Sequence, residues 1–136
     1  MSTQPVIPYL TVRSAVEAIA FYQKAFGATE TMRMAAEDGK RLMHAELSVN
    51  GGRLFLSDEF LEHDGPTAPA AGHKPAVAVA LALTAPADVD ATFNRAVSAG
   101  AEGAMAPADQ FWGARFAMLT DPFGHRWMLS APLPQA

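Results

Sequence analysis

Gly124-His-Arg-Trp-Met-Leu-Ser130 and Gly51-Gly-Arg-Leu-Phe-Leu-Ser57 follow one pattern. Each starts on the glycine of a tight turn, passes through an arginine and ends in a strand closing on Leu-Ser. They lie about 73 residues apart. A second pair, Phe21-Tyr-Gln-Lys-Ala-Phe-Gly-Ala28 and Phe93-Asn-Arg-Ala-Val-Ser-Ala-Gly-Ala101, lies roughly 72 residues apart. One such match can arise by chance. Two at nearly the same spacing indicate a duplicated module.

Outward from these anchors the two halves show the same order of elements. Ile7 to Val12 reads as a strand. Ser14 and Glu17 form a capping-box pattern ahead of a helix from Ala15 to about Phe26. Ala15, Ile19, Tyr22 and Phe26 recur at helical spacing as its buried stripe, and Gly27 ends it. Strands follow at Thr29–Ala36, Leu42–Val49 and Arg53–Ser57, the last two joined by Asn50-Gly51, a strong hairpin signal. In the third strand His44, Glu46 and Ser48 share one face, and Ala45, Leu47 and Val49 the other. The second half repeats this. Ala76–Thr84 is a buried strand, and Pro86 opens a helix with Asp88 and Asp90 in its first turn. Val89, Phe93, Ala96 and Val97 are its apolar stripe, and Gly100 its end. Strands then run near Glu102–Met105, at Arg115–Thr120 and at Arg126–Ser130, the last two joined by an Asp121-Pro-Phe-Gly124 turn. Asp58 to Pro75, rich in Gly and Pro, breaks the pattern as a linker or lid.

Composition narrows the functions. The chain has 136 residues, half of them hydrophobic and 18% charged, as a soluble globular domain would. Its net charge is −4 and its Lys and Arg residues are scattered, which argues against a nucleic-acid footprint. It has no cysteine, so disulfides, thiolate metal sites and cysteine nucleophiles are excluded. Met1 to Leu10 lacks the basic-then-apolar order of a secretory signal. The longest apolar run, Ala76 to Leu83, is too short to span a bilayer. A cytoplasmic location is the default expectation. No Ser-His-Asp grouping, phosphate loop or HExxH motif is present.

Two tandem βαβββ modules resemble the vicinal oxygen chelate superfamily of glyoxalases, bleomycin-resistance proteins and extradiol dioxygenases. Ile7-Pro-Tyr-Leu-Thr-Val12, Ala18-Ile-Ala-Phe-Tyr-Gln-Lys-Ala-Phe-Gly-Ala28, His44-Ala-Glu-Leu47, Asp109-Gln-Phe-Trp-Gly-Ala-Arg115 and Asp121-Pro-Phe-Gly-His-Arg-Trp127 are similar to its PhnB-like branch. The resemblance covers almost the whole chain. It implies an α+β fold: module one at about 5–58, linker or lid at about 59–75 and module two at about 76–131. The modules would wrap a shared, cupped, eight-stranded mixed sheet with helices on its outer face and a cavity between modules. It also implies a homodimer.

Metal-dependent members of that superfamily place four His, Glu or Gln ligands on the cavity face, from the first and last strands of each module. Carried over by motif, those positions are Ile7, Phe55, Val79 and Met128. None offers a nitrogen or oxygen donor, and methionine sulfur is a poor ligand for a hard divalent ion. The alternation around Val79 offers only Val, Leu and Ala, so a one-residue slip there restores no ligand. The expectation is therefore no metal centre, no cofactor and none of the family's metal chemistry.

The face bearing Ile7 and Met128 also carries Tyr9, Thr11, Arg53, Ser57 and Arg126. In the register that matches His44 to Ala117 and Glu46 to Leu119, Arg115 shares the face of His44 and Glu46. The candidate ligand-binding set is thus Tyr9, His44, Glu46, Phe111, Trp112, Arg115 and Met128. His44 can act as a base or hydrogen-bond donor, Arg115 can hold an anion, and Phe111 and Trp112 can stack on a planar ligand. Alternatives stay open. His44 and Glu46 can face solvent, Arg115 can pair with Asp109 or Asp121, and Trp112 can anchor packing. Asp121 caps its own turn, His125 and Trp127 fall on the helix-covered face, and His63 and His73 lie in the linker. Three functions are ranked. The first is a metal-free small-molecule-binding protein for a planar or anionic ligand. The second is an acid–base enzyme using His44 or Glu46, and the third a metal enzyme with relocated ligands. Neither nucleic acid nor membrane is an expected partner.

Overall fold

The computed structural model describes residues 4–135. Met1 to Thr3, which enter the leader-peptide reading, lie outside the described residues, as does Ala136. The elements run β1 Tyr9–Val12, α1 Ala15–Phe26, β2 Thr29–Ala35, β3 Leu42–Val49, β4 Gly52–Asp58, β5 Ala78–Ala82, α2 Pro86–Ser98, β6 Glu102–Asp109, β7 Ala114–Thr120 and β8 Arg126–Pro132. The order βαβββ therefore occurs twice, and the fold is α+β. The first strand of each module pairs in parallel with its last, and the other pairings are antiparallel.

The strands form two four-stranded mixed sheets, ordered β1-β4-β3-β2 and β5-β8-β7-β6. This corrects the expectation of one eight-stranded sheet: among the described residues no ladder joins the halves. Side chains join them instead. Asn50 Nδ2 donates to Ala82 O at 2.9 Å, His125 Nε2 to Thr11 O at 2.8 Å, and Tyr22 Oη to Asp121 Oδ2 at 2.5 Å. The helix-covered faces of both sheets feed one continuous core, which includes Leu56 and Ala45 from the first and Trp127, Leu129 and Leu119 from the second. The opposite face of each sheet is left uncovered within the chain.

Local chemistry explains the elements. Ser14 Oγ accepts from Glu17 N at 3.4 Å, one half of the anticipated capping box. Asp58 supplies the rest of the tether, with Oδ1 accepting from Ala15 N at 2.9 Å. Gly27 closes α1 at φ 69°. Asn50 and Gly51, at φ 50° and 80°, adopt the two positive values that a type I′ hairpin needs. In α2, Asp88 Oδ2 accepts from Ala85 N at 3.0 Å. Its stripe departs from expectation at one position. Val97 is exposed, and Thr92 is buried beside Val89 and Ala96. β6 runs to Asp109, well past Met105, because β7 pairs with it as far as Asp109 opposite Arg115. No helix is long and apolar enough to cross a membrane among the described residues.

Candidate functional site

Alternation in the first sheet sets Tyr9, His44, Glu46, Arg53 and Phe55 on the uncovered face, while Leu10, Ala45, Leu47, Leu54 and Leu56 enter the core. Strand register then brings them together. Phe55 lies between Tyr9 on β1 and Glu46 on β3, and Met34 and Met32 of β2 pair with His44 and Glu46. The side chains form a hydrogen-bonded chain. Tyr9 Oη lies 2.7 Å from His44 Nδ1, and His44 Nε2 lies 2.9 Å from Glu46 Oε2. Arg53 Nη2 reaches Glu46 Oε1 at 3.4 Å. The Phe55 ring meets both Tyr9 and His44 edge-on, at centroid separations of 5.9 and 5.0 Å.

The hydrogen bond from His44, aided by Arg53, holds the Glu46 carboxyl below its ordinary value. A carboxylate only accepts, so His44 Nε2 donates to it; in that tautomer of the imidazole, Nδ1 accepts from the Tyr9 hydroxyl. Tyr9, half exposed, is the solvent end of the relay. Its oxygen keeps lone pairs for a ligand donor. The arrangement can bind a donor on a small molecule, and it can pass a proton from Tyr9 to His44 with Glu46 behind it.

The second sheet presents a different surface. Phe116, Met118, Arg126 and Met128 lie on its uncovered face, with Met118 directly opposite Met128. The module repeat therefore matches Glu46 to Met118 and His44 to Phe116, one residue away from the expected register. The Asp121–His125 turn is longer than Asn50-Gly51, so the offset that fits β4 and β8 slips by one on β3 and β7. The matching core pairs Ala45/Ala117 and Leu47/Leu119 carried that signal. As a consequence Arg115 does not share a face with His44 and Glu46. It sits on the helix side, where Nε and Nη2 hold both oxygens of Asp90 at 2.6 and 2.8 Å, and Nη1 holds Asp109 at 2.9 Å. These bonds push the Arg115 guanidinium up and hold Asp90 down from their ordinary values.

Phe111 and Trp112 occupy the turn before β7. Trp112 packs edge-on against Phe116, and Phe111 against Trp112, at centroid separations of 5.8 and 5.2 Å. Phe111 is almost wholly exposed. The sequence candidates thus fall into two groups: Tyr9, His44 and Glu46 on the first sheet, and Phe111, Trp112 and Met128 on the second. Phe55 was read only as a lost metal position, and its ring is part of the first group. Met32 and Met34 were missed, although β2 alternation marked them.

The family's metal positions can be tested by their donors. Val79 pairs with Trp127, whose ring is in the core, and Ala80 is the residue opposite Met128. Ile7 precedes β1, and Tyr9 is the residue opposite Phe55. The cavity-face quartet is therefore Tyr9, Phe55, Ala80 and Met128, with a single oxygen donor already bonded to His44. Among the described residues no group of three or more His, Asp or Glu side chains is placed to hold a metal ion. These residues do not fit a divalent metal centre.

Two clefts flank the site. One of about 640 Å³ lies between the β2–β3 turn and the start of the linker, where Arg41 stacks over Phe60 and is held by Asp38 and Glu62. One of about 250 Å³ lies at the seam of the modules, walled by Pro8, Arg53 and residues 79–82. Its lining does not include Tyr9, His44 or Glu46.

Paired βαβββ modules, each with one sheet face left uncovered, define a single class of fold. The chain belongs to the Glyoxalase/Bleomycin resistance protein/Dioxygenase superfamily, whose family model matches residues 5–129. It is 42% identical to an uncharacterized protein of Mycobacterium bovis, over 98% of this chain and 87% of that protein. Among solved structures it is similar to a Pseudomonas aeruginosa protein, with 27% identity, a TM-score of 0.76 and coverage of 97% and 100% of the two chains. It shares the fold of a PhnB protein from Bacillus cereus, at 19% identity, a TM-score of 0.73 and coverage of 94% and 99%.

Proposed function

We propose that the chain is a metal-independent small-molecule-binding protein whose ligand is recognised by the Tyr9–His44–Glu46 relay. The observation that carries this reading is the relay itself, three groups bonded in sequence and ending at an exposed hydroxyl on an uncovered sheet face. The adjoining Phe55 ring and the methionines of β2 favour a planar, partly apolar ligand. A second copy of the chain completes the cavity by laying its Phe116–Met118–Met128 surface, with Trp112, over this face. The exposure of Met32, Met34 and Tyr9 supports that arrangement. A cytoplasmic setting belongs to the same reading. The test is a thermal-shift screen of planar aromatic compounds, followed by titration of the hits. Tyr9→Phe and His44→Ala are expected to weaken each hit about tenfold. Hits that bind both variants as well as the parent would overturn the assignment.

A second reading rests on the same bonds. A ligand C–H or O–H gives its proton to Tyr9 Oη, the Tyr9 proton moves to His44 Nδ1, and Glu46 balances the charge. The proton then returns to another ligand atom, so nothing is consumed. Exchange of a bound ligand's C–H for deuterium in heavy water, lost in His44→Ala, identifies an enzyme. Binding without exchange identifies a carrier.

A further inference from the structure

We infer that the cleft between linker residues 69–74 and the Asp121–His125 turn is a binding site for the carboxylate or phosphate of a small molecule. Within one chain it lies apart from the Tyr9–His44–Glu46 face, none of whose three residues lines it. The cleft measures about 370 Å³, and Arg13, His73, Lys74 and Arg126 all line it. Arginines elsewhere in the chain are mostly neutralised. Arg33, Arg41, Arg53 and Arg115 each hold a carboxylate. Of the three arginines with no carboxylate among the described residues, two, Arg13 and Arg126, meet here.

Arg126 is the informative one. It is half-buried, and its acceptors among the described residues are neutral: Nε donates to Thr120 Oγ1 at 3.1 Å and Nη1 to Met118 Sδ at 2.8 Å. A partly desolvated guanidinium with only a hydroxyl and a thioether is under-compensated, and an oxyanion is the partner its fork geometry suits. The nearby Asp121 cannot serve. Its oxygens face inward and are taken by Tyr22, Trp127 and the backbone of Phe123 and His125. That leaves Glu102 as the one accessible carboxylate on the lining, against three permanent cations. This local excess opposes the chain's net charge of −4.

The wall of the cleft is also fixed. Pro69 approaches Gly124 so closely that a β-carbon there would stand 2.8 Å from the proline Cβ. Ala68 is buried and its N–H donates to Glu59 Oε2 at 2.9 Å. Residues 68–69 are thus seated, and they hold His73 and Lys74 over the second-module turn.

The experiment is an amide NMR titration of the full chain with inorganic phosphate and, separately, with benzoate. Saturable shifts are expected at residues 70–74 and 120–126, weakened by added salt. Arg126→Gln and the exposed Lys74→Gln should each weaken binding about tenfold. Arg95→Gln, which removes an arginine elsewhere that likewise holds no carboxylate among the described residues, should leave it unchanged. Tighter binding of benzoate assigns an organic carboxylate, and tighter binding of phosphate a phosphate ester. Absence of saturable shifts with either anion, or shifts that survive both cleft substitutions, would overturn the proposal. The Tyr9–His44–Glu46 reading would stand in that event, since its ligand screen uses other residues.

Discussion

Asp121 accepts four hydrogen bonds that tie its turn, α1 and β8 together. Oδ1 caps its own turn through Phe123 N and His125 N, both at 2.9 Å, and Oδ2 accepts from Tyr22 Oη and Trp127 Nε1. Asp121→Ala would strand two buried donors and open the turn, at a cost of about 3 kcal/mol or more by urea denaturation. Tyr22 adds a pH dependence. Burial first, and then Asp121, raises its phenol well above the ordinary 10.0. The unfolded chain therefore ionises Tyr22 before the folded one does. The stability it contributes is complete below pH 10 and falls as pH rises above that. Tyr22→Phe should flatten the alkaline limb of a stability–pH curve. Glu46 shows the opposite sign. Its carboxyl, held down by His44, should titrate below the ordinary 4.5 in carbon-detected NMR, and His44→Ala should raise it. Any stability it lends is present above 4.5 and lost as pH falls. Parts of this were legible in the sequence. The shared face of His44 and Glu46 follows from β alternation, and the Asp121 cap from turn chemistry. The Tyr9–His44 bond was not, because it joins residues 35 apart through the pairing of three strands. Arg115 was misplaced because a one-residue slip in register moves a side chain to the other face.

Whole elements are written more plainly in the sequence than their contacts are. Asn50-Gly51, Gly27 and the Pro86 helix start announce themselves because each answers a local backbone demand. The extension of β6 to Asp109 does not, since Met105 to Asp109 becomes a strand only by pairing with β7. The linker lies between these cases. Its Gly and Pro residues mark it as irregular, yet they do not show that Pro69 is pressed against Gly124. That contact can be tested. Gly124 sits at φ 93°, where an L side chain is strained, and Pro69 already fills the space a methyl would need. Gly124→Ala should cost about 2 kcal/mol, part from the backbone and part from the clash. Pro69→Gly in the same chain should recover the clash component only. Full additivity of the two changes would mean that the linker does not bear on the turn in solution.

At the scale of the molecule, duplication gave two modules, but the core does not respect the division. Trp127 of β8 is fully buried, and the rings that cover it belong to α1: Phe26 at a centroid separation of 4.5 Å and Tyr22 at 5.3 Å. α1 and α2 also pack on each other, and buried residues of both halves form one cluster. Neither half can bury its largest aromatic side chain alone. Exposing a tryptophan of this kind costs about 3–5 kcal/mol, a large part of a small domain's stability. The two modules are therefore expected to unfold together, although among the described residues no strand ladder connects them. Trp112 is half exposed, so in a Trp112→Phe background Trp127 reports alone on the seam. Its emission and the far-ultraviolet circular dichroism should then give coincident urea midpoints. Phe26→Ala, a substitution in module one, should lower both midpoints equally. An early fluorescence transition, with circular dichroism lost later, would show the modules parting before they melt. The shared core would then be a contact between two domains rather than the centre of one.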